Sequence, residues 1–280
     1  MDDDPTELPT PSPEEAKAAV GGTFSAAAAT YDQVIDFFGP FGRALVAAAD
    51  LRPGQQVLDV ACGRGACLYP TLEAVGPEGS VLGIDLAEGM VEALRADLDA
   101  RGVANAEVRQ GDAEALDVPD ASVDAATGGF MIFFPPDPPA VLRELHRVLR
   151  PGGTLALSIF DSAPAFSWIG DVAAEVFGFS DRKADTPFNR AEVLDPALEA
   201  AGFSSPDAVE VTERFAFDDV AHVERWLRSH GGRMLFEACD EDQLAQVRTL
   251  MGRYLDERHR RDGGGYELVQ GARMTVARRR

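Results

Sequence analysis

The stretch VLDVACGRG, residues 57–65, decides the class of fold. Its first half is an apolar run around one acidic residue and predicts a buried β-strand, whereas Gly63 and Gly65 predict a tight loop. A helical pattern follows from about Ala66. Small residues let the backbone approach a ligand closely, and the first N–H groups of a helix are free to bind it. The stretch therefore predicts a nucleotide-like cofactor at a strand–loop–helix turn.

The same stretch does not complete the fingerprint of a dinucleotide-binding loop. A Gly-x-Gly that starts at Gly63 requires a third small residue at position 68, where the sequence has Leu68. The sequence thus disfavours an NAD-type cofactor.

Strands and helices alternate along the chain, as in a parallel sheet with helices on both faces. We predict an α/β fold: a doubly wound, seven-stranded, mainly parallel Rossmann-like sheet with N-terminal helices and helical lid additions. The predicted strands are 55–61, 80–85, 106–110, 123–130, 154–160, 208–217 and 266–276. Helices are predicted over about 66–75, 87–101, 138–149, 191–201, 219–229 and 240–261.

A single domain is predicted behind a polar leader. Residues 1–13 contain little to bury, and we expect them to be a disordered leader. The predicted domain, 14–280, divides into an N-terminal helical cap (14–50), a cofactor-binding core (51–161), insertions and lid helices on the substrate side (162–265) and a final strand (266–280). A break in the helical cap is predicted around Gly39-Pro40.

The charge balance excludes several classes of partner. Lys and Arg total 26 against 47 Asp and Glu, a formal net charge of −21 at pH 7, which repels phosphate backbones and anionic lipids. We therefore expect no nucleic-acid partner.

No apolar run approaches the roughly 20 residues that cross a bilayer, and the first residues, MDDD, are acidic where a secretory signal is basic. We expect a cytoplasmic protein with no membrane partner.

The cysteines point to a reducing compartment and to no metal. Cys62, Cys67 and Cys239 have no metal-ligand spacing and leave an odd thiol. No acidic cluster follows the fourth predicted strand, so no metal is expected. The sequence does not decide the oligomeric state, and a homodimer is compatible with it.

Four motifs in chain order resemble those of class I S-adenosylmethionine-dependent methyltransferases. They are DVACGRG at 59–65, LGIDL at 82–86, GDAE at 111–114 and LRPGGT at 149–154. The motif LDVACG at 58–63 resembles that of the ubiquinone/menaquinone-biosynthesis-like subgroup, which methylates small molecules. Its Ala61 stands where the family pattern most often has its first glycine. The resemblance is close over about 30–161 and only architectural elsewhere. It implies S-adenosylmethionine as the cofactor.

The resemblance also implies roles for individual residues. Asp85 would accept hydrogen bonds from both ribose hydroxyls, since an ionised carboxylate takes two such bonds at once, and Asp112 would meet the adenine amino group. Tyr31 would lie on the helix that closes over the cofactor and Met90 near the adenine, although both could equally be core residues. Asp59 is expected to order the glycine loop or to meet the methionine part through water. The predicted cofactor residues are Tyr31, Asp59, Ala61, Gly63, Asp85, Leu86, Met90, Asp112, Ala113 and Phe130.

Candidate bases are scarce near the expected methyl position. The stretch GGFMIFF at 128–134, around the end of the fourth strand, contains no His, Asp or Glu. A histidine titrates near neutral pH and suits proton removal from an acceptor. His222 and His230 are therefore the candidate catalytic residues, with packing or surface roles as the alternative. His146 and His259 are not expected to take part.

The resemblance implies transfer of a methyl group from S-adenosylmethionine to an O, N or C atom of a small apolar or aromatic metabolite, in natural-product biosynthesis. The alternative is a protein that retains the cofactor but catalyses a cyclisation or rearrangement, or only binds a metabolite. The acceptor site is expected between 31–41, 130–137, 166–188 and the helices before the final strand. Its candidate lining residues are Trp168, Phe177, Trp226, Met234 and Phe236.

The sequence DPPA at 137–140 is similar to the Asp-Pro-Pro-aromatic tetrad of amino-methyltransferases, but it lacks the aromatic residue and does not directly follow the fourth strand. Two prolines suit the first turn of a helix, where missing N–H groups cost nothing, and an aspartate suits the N-cap. We therefore predict that Asp137 begins a helix and takes no part in the chemistry.

Overall fold

The protein folds around one seven-stranded sheet. The computed structural model describes residues 11–160, 167–178 and 187–280. The strands run in the order β3-β2-β1-β4-β5-β7-β6, with β7 antiparallel to both β5 and β6. This confirms the predicted seven-stranded, mainly parallel sheet. The bounds are β1 (Gln56–Val60), β2 (Ser80–Asp85), β3 (Ala106–Gln110), β4 (Val123–Gly129), β5 (Leu149–Phe160), β6 (Asp207–Phe217) and β7 (Tyr266–Arg278).

Helices cover both faces of the sheet. On β1, Val57 belongs to a buried cluster with α3 and α4, whereas Leu58 belongs to one with α5 and α7, so the sheet is doubly wound. None of the helices in the described ranges combines the length and apolar content that a membrane span needs. The helices are α1 (Pro13–Ala27), α2 (Phe38–Ala49), α3 (Leu68–Val75), α4 (Glu88–Ala100), α5 (Pro138–Val148), α6 (Ser167–Phe177), α7 (Ala191–Ala200), α8 (Val220–Arg228), α9 (Arg233–Glu237) and α10 (Glu241–Arg258).

The strand order reverses beside β1. This strand pairs in parallel with β2 on one side and with β4 on the other. In an open parallel sheet, ligands bind in the crevice beyond the carboxyl ends of the strands at such a reversal. The ends of these three strands, Val60, Asp85 and Gly129, therefore mark where a site is expected.

The helical cap breaks earlier in the chain than the sequence predicts. The break covers 28–37, and the predicted position, Gly39-Pro40, falls in the first turn of α2. Proline is tolerated there because the first N–H groups of a helix have no intrahelical partner. The carboxylate of Asp32 accepts a hydrogen bond from the N–H of Phe38 (3.2 Å) and caps the helix. The predicted position of the break is wrong, because a capping side chain rather than the Gly-Pro pair sets the start of α2.

The first helix begins before the end of the predicted leader, 1–13. Residues 1–10 of that leader lie outside the described residues. Ser12 belongs to the start of α1, since its Oγ accepts the N–H of Glu15 (3.3 Å) and the Glu15 carboxylate accepts the N–H of Ser12 (2.8 Å). This reciprocal capping box satisfies two donors that the first turn would otherwise leave free.

The substrate-side stretch contains more helix than the sequence predicts. Helices α6 and α9 are additional elements. Of the predicted acceptor-side stretch 166–188, residues 166 and 179–186 lie outside the described residues. Short apolar helices of this kind lack the long periodic pattern from which helices are predicted.

Asp137 begins α5, as predicted. Its Oδ1 accepts the N–H of Ala140 at 3.0 Å, and Pro138 and Pro139 occupy the first turn of the helix. The fragment that is similar to the amino-methyltransferase tetrad is therefore an N-cap.

Replacing Asp137 by Ala removes this cap and should lower the free energy of unfolding by about 1 kcal/mol. Urea denaturation followed by circular dichroism measures the change. Asp137→Ser keeps a capping oxygen and should cost at most a few tenths of a kcal/mol. Equal losses in the two variants would contradict the N-cap role.

Candidate active site

The first cavity lies over the carboxyl ends of β1, β2 and β4. Its empty volume is about 830 Å³, including the part open to solvent, a size that suits a small-molecule ligand. The glycine loop after β1, the residues after β2 and β3, and one face of α1 form its walls. Of the predicted cofactor residues, it brings together Tyr31, Ala61, Gly63, Asp85, Leu86, Met90, Asp112, Ala113 and Phe130.

Asp85, at the end of β2, joins the two segments that follow β1 and β2. Its Oδ2 accepts the N–H of Gly63 (2.8 Å) and its Oδ1 accepts the N–H of Ala87 (2.8 Å). Burial raises the pKa of Asp85, and these two N–H bonds oppose the shift. Each carboxylate oxygen keeps a further lone pair for a ligand hydroxyl. The geometry therefore fits a ligand that carries neighbouring hydroxyl groups.

The glycine loop contains a non-glycine residue in the left-handed region. The backbone angle φ is +54° at Ala61 and +50° at Gly63. The left-handed conformation costs an L-residue about 1–2 kcal/mol, whereas glycine adopts it freely. Ala61, which stands where the family pattern most often has glycine, is therefore strained at the wall of the cavity.

Lys17, on α1, closes the first cavity on the side of β3. Its Nζ lies 2.6 Å from Oδ2 of Asp112 and 2.5 Å from Oε2 of Glu114. The other carboxylate oxygen of Asp112 accepts the N–H of Glu114 (2.9 Å). The hydrogen bond stabilises a turn in the loop after β3, and the ion pairs connect this loop to α1. Sequence reasoning misses Lys17, because it lies 95 residues from Asp112 in the chain and belongs to no motif.

Asp59 lines the second cavity rather than the first. It is 1% exposed, and its Oδ1 accepts the hydroxyl of Thr127 (2.8 Å). Among the described residues, its Oδ2 has no hydrogen-bond partner. Burial raises the pKa of Asp59 to about 7, the Thr127 bond opposes this, and the charge of Asp85 adds to it. A cationic group on a ligand would offset this cost and favour the ionised carboxylate.

The second cavity adjoins the first. Its empty volume is about 1110 Å³, including the part open to solvent. Its own walls are largely apolar, with Phe38, Phe160 and Met234 among them, and its polar residues include Ser158 and His230. The two cavities share the wall residues Phe24, Tyr31, Ala61, Gly63, Gly129, Phe130 and Phe134.

Phe130, in the shared wall, is held by aromatic packing. Its φ is +51°, a rare conformation for a bulky residue. The ring stacks on Phe160 with a centroid separation of 4.2 Å and meets Phe41 edge-on at 5.4 Å. The N–H of Phe130 donates to Oγ of Ser158 (3.0 Å). These contacts hold the strained backbone where the two cavities meet.

The two candidate histidines have different environments. His230 lines the second cavity and is 6% exposed. Its Nδ1 accepts a hydrogen bond from the N–H of Gly232 (3.2 Å). The neutral imidazole ring therefore carries its proton on Nε2. Burial lowers the pKa of His230 to about 3. His222 lies outside both cavities, with its ring against Phe217 and its Nδ1 accepting the N–H of Asp218 (3.3 Å).

Of the predicted acceptor-site residues, Met234 reaches the second cavity and is 53% exposed at its rim. The others belong to the buried core or pack against it, and they are Trp168, Phe177, Trp226 and Phe236. Within the described ranges, no group of three or more His, Cys, Asp or Glu side chains is arranged to hold a metal ion.

Ala61→Gly should raise the free energy of unfolding of the ligand-free protein by about 1 kcal/mol, because it relieves the left-handed strain. Gly63→Ala is the matched opposite change: a Cβ at position 63 meets no atom within 4 Å, so its expected loss of about 1 kcal/mol comes from the backbone alone. Urea denaturation measures both. If the free energy of unfolding changed in the same direction in both variants, this account of the loop would be contradicted.

Comparison with known proteins agrees with this geometry. The family described as "Methyltransferase domain" matches residues 57–153. The chain is 32% identical over 249 residues to nocamycin O-methyltransferase of Saccharothrix syringae, a match that covers 83% of this chain and 89% of that protein. In fold, it is similar to the YcgJ protein of Bacillus subtilis, with a TM-score of 0.59, 20% identity and coverage of 86% of this chain and 98% of that one.

Two further relatives match a smaller share of the chain. Aklanonic acid methyltransferase DauC of Streptomyces sp. (strain C5) is 39% identical over 143 residues, 51% of this chain and 65% of that protein. A demethylmenaquinone methyltransferase of Geobacillus kaustophilus is 41% identical over 104 residues, 37% of this chain and 44% of that protein. Both are methyltransferases, as is the nocamycin enzyme that matches most of this chain, and the likeness to that enzyme supports methyl transfer to a small metabolite over the alternative of a rearranging or merely binding protein. The chain therefore belongs to the S-adenosylmethionine-dependent methyltransferases that act on small molecules.

Proposed function

We propose that the first cavity holds S-adenosylmethionine, with its methionine end reaching Asp59 in the second cavity, and that the rest of the second cavity holds the acceptor, a small and largely apolar metabolite. The observation that carries this proposal is the shared wall, since Ala61, Gly63, Gly129 and Phe130 line both cavities. Holding two reactants side by side in a fixed geometry supplies much of the rate of a bimolecular displacement.

The residues of the two cavities fit the parts of the cofactor. When bound, S-adenosylmethionine supplies a methyl group on a sulfonium, already activated for displacement. The lone pairs left on Asp85 support hydrogen bonds from the ribose hydroxyls. Asp112 and the buried Met90 supply a carboxylate and an apolar surface for the adenine. Asp59, with its buried carboxylate, supports contact with the cationic methionine part.

The lining of the second cavity supports an apolar or aromatic acceptor. Phe38, Phe130 and Phe160 present flat ring surfaces, and Met234 adds a flexible side chain at the rim. The likeness to nocamycin O-methyltransferase over most of both chains supports oxygen as the acceptor atom and a natural product as the acceptor.

The two histidines do not support a strong general base. His230 is neutral at physiological pH, because burial lowers its pKa to about 3, and a group of such low basicity removes protons poorly. His222 lies outside both cavities. With Asp59 assigned to the methionine part of the cofactor, we therefore propose an acceptor oxygen that ionises without the protein's help, as in a carboxylic acid, an acidic enol or a phenol made acidic by its substituents. The chain then contributes alignment and exclusion of water.

We further propose a cytoplasmic enzyme without a nucleic-acid substrate. The net charge of −21 supports the second point, and three free cysteines support a reducing compartment. That the protein forms a homodimer remains a prediction from the sequence.

Asp85→Ala should weaken binding of S-adenosylmethionine about 30-fold or more, because a hydrogen bond to a charged acceptor contributes about 1.5–3 kcal/mol. Isothermal titration calorimetry measures the dissociation constant. Asp85→Asn keeps one acceptor oxygen and should give an intermediate value. Asp117→Ala, in the exposed loop after β3, is the matched control. An unchanged dissociation constant in Asp85→Ala would exclude the ribose contact.

Methyl-labelled S-adenosylmethionine, incubated with a panel of small aromatic carboxylic acids, enols and phenols, should yield a labelled product. Met234→Glu places a charge at the rim of the second cavity and should raise the acceptor KM at least about 10-fold, with an unchanged dissociation constant for the cofactor. Val209→Glu, on the exposed edge of β6, is the control. Product without label would refute methyl transfer, and an unchanged KM in Met234→Glu would refute the placement of the acceptor.

A further inference from the structure

Strand β6 forms one edge of the sheet. It is the last strand in the order, and among the described residues only β7 pairs with it. Its eleven residues, Asp207–Phe217, pair with β7 without a shift of register and extend over about 37 Å. In an antiparallel pair, every second residue directs its N–H and C=O groups away from the neighbouring strand. The outer side of β6 therefore presents a long row of backbone groups that a further strand can bind.

Strand β6 lacks the features that usually protect an edge from association. Exposed edge strands are commonly short, or they contain Pro, Lys or a bulge. The sequence of β6, DAVEVTERFAF, contains neither Pro nor Lys, and its Val209 is 56% exposed. The other edge strand, β3, has only five residues, and two of them, Glu107 and Arg109, form an ion pair (2.6 Å). Of the two edges of the described sheet, β6 is thus the one suited to pairing.

The charges of β6 complement those of a second, antiparallel β6. If a two-fold axis passes through Thr212, Glu210 of one copy lies directly opposite Arg214 of the other, and the symmetry repeats the pair. Both residues are exposed. Arg214 already contacts Glu267 of its own chain (2.7 Å), and its guanidinium has five N–H donors, enough to bind both carboxylates. This register therefore forms two ion pairs across the axis.

The same register brings apolar side chains together on the other face of the strand. Phe215 and Phe217 on this face belong to the buried core, whereas Val209 is exposed. With Thr212 on the axis, Val209 lies opposite Phe215 of the second copy. Association covers the exposed Val209 and extends the apolar face of the sheet across the axis.

We propose that a second copy of this chain binds along β6, antiparallel and with Thr212 on the two-fold axis, so that the two sheets become one. About ten backbone hydrogen bonds cross this interface, and the two ion pairs fix its register. The net charge of −21 on each copy opposes association, but salt screens that repulsion beyond about 8 Å at physiological ionic strength. Within the described residues, neither cavity is lined by β6, so both cavities stay open in the dimer.

Sedimentation equilibrium of the full chain tests the ion pairs. The wild-type protein should be dimeric at about 50 µM and physiological salt, since even a modest interface gives a micromolar dissociation constant. Glu210→Arg places two arginines opposite each other and Arg214→Glu places two glutamates opposite each other, so each should weaken the dimer at least about 10-fold. An equal mixture of the two variants restores opposite charges at both positions and should recover wild-type association. Glu257→Arg, at an exposed position of α10, changes the net charge as much as Glu210→Arg does and should leave the dimer unchanged.

Oxidative cross-linking tests the register. Thr212→Cys places two thiols opposite each other across the axis, with Cβ atoms about 4.5–5.5 Å apart, and mild oxidation should give a covalent dimer on a non-reducing gel. Ala216→Cys places its two thiols about 27 Å apart and should give none. The wild-type protein, oxidised in the same way, controls for its own three free cysteines.

Circular dichroism checks that each variant is folded. A monomeric wild-type protein would overturn the proposal, and so would a dimer that resists both charge reversals and forms no cross-link in Thr212→Cys. Should a charge variant fail to fold, the cross-link in Thr212→Cys decides alone, and its absence counts against pairing along β6. None of these outcomes depends on the proposed roles of the two cavities.

Discussion

The candidate site depends on one buried carboxylate. Asp85 accepts the N–H of Gly63 and the N–H of Ala87, and so joins the loop after β1 to the residues that begin α4. The two strands are parallel neighbours beside the reversal of strand order, which is why the end of one meets the loop of the other. Two backbone donors offset part of the cost of burying the charge, and the pKa of Asp85 stays raised. The position of α4, and of α1 packed upon it, follows from this contact.

Two residues with a strained backbone lie where the two cavities meet. Ala61 and Phe130 follow the adjacent strands β1 and β4, and both are left-handed. Such residues persist only where their surroundings hold them. Stacking on Phe160 and the hydrogen bond to Ser158 hold Phe130. The shared wall is therefore rigid at the position where alignment of two ligands matters.

The two halves of the site are built differently. The first cavity takes its two carboxylates from strand ends and the loops after them, since Asp85 is the last residue of β2 and Asp112 follows β3. The second cavity is assembled from elements far apart in the chain, including Phe38 on α2 and Met234 on α9.

By itself, the sequence determined the alternation of strands and helices, the glycine loop, the cofactor class and the N-cap at Asp137, because each depends on residues close together in the chain. Tertiary structure alone decided which polar groups meet. Asp32 caps α2, so the break in the helical cap is not at Gly39-Pro40. Lys17 reaches Asp112 across the first cavity, and burial, invisible in a local pattern, separates His230 from His222. Long-range packing sets the burial and the partners of a side chain. These decide whether a lysine forms an ion pair that holds a helix in place and whether a histidine can act as a base.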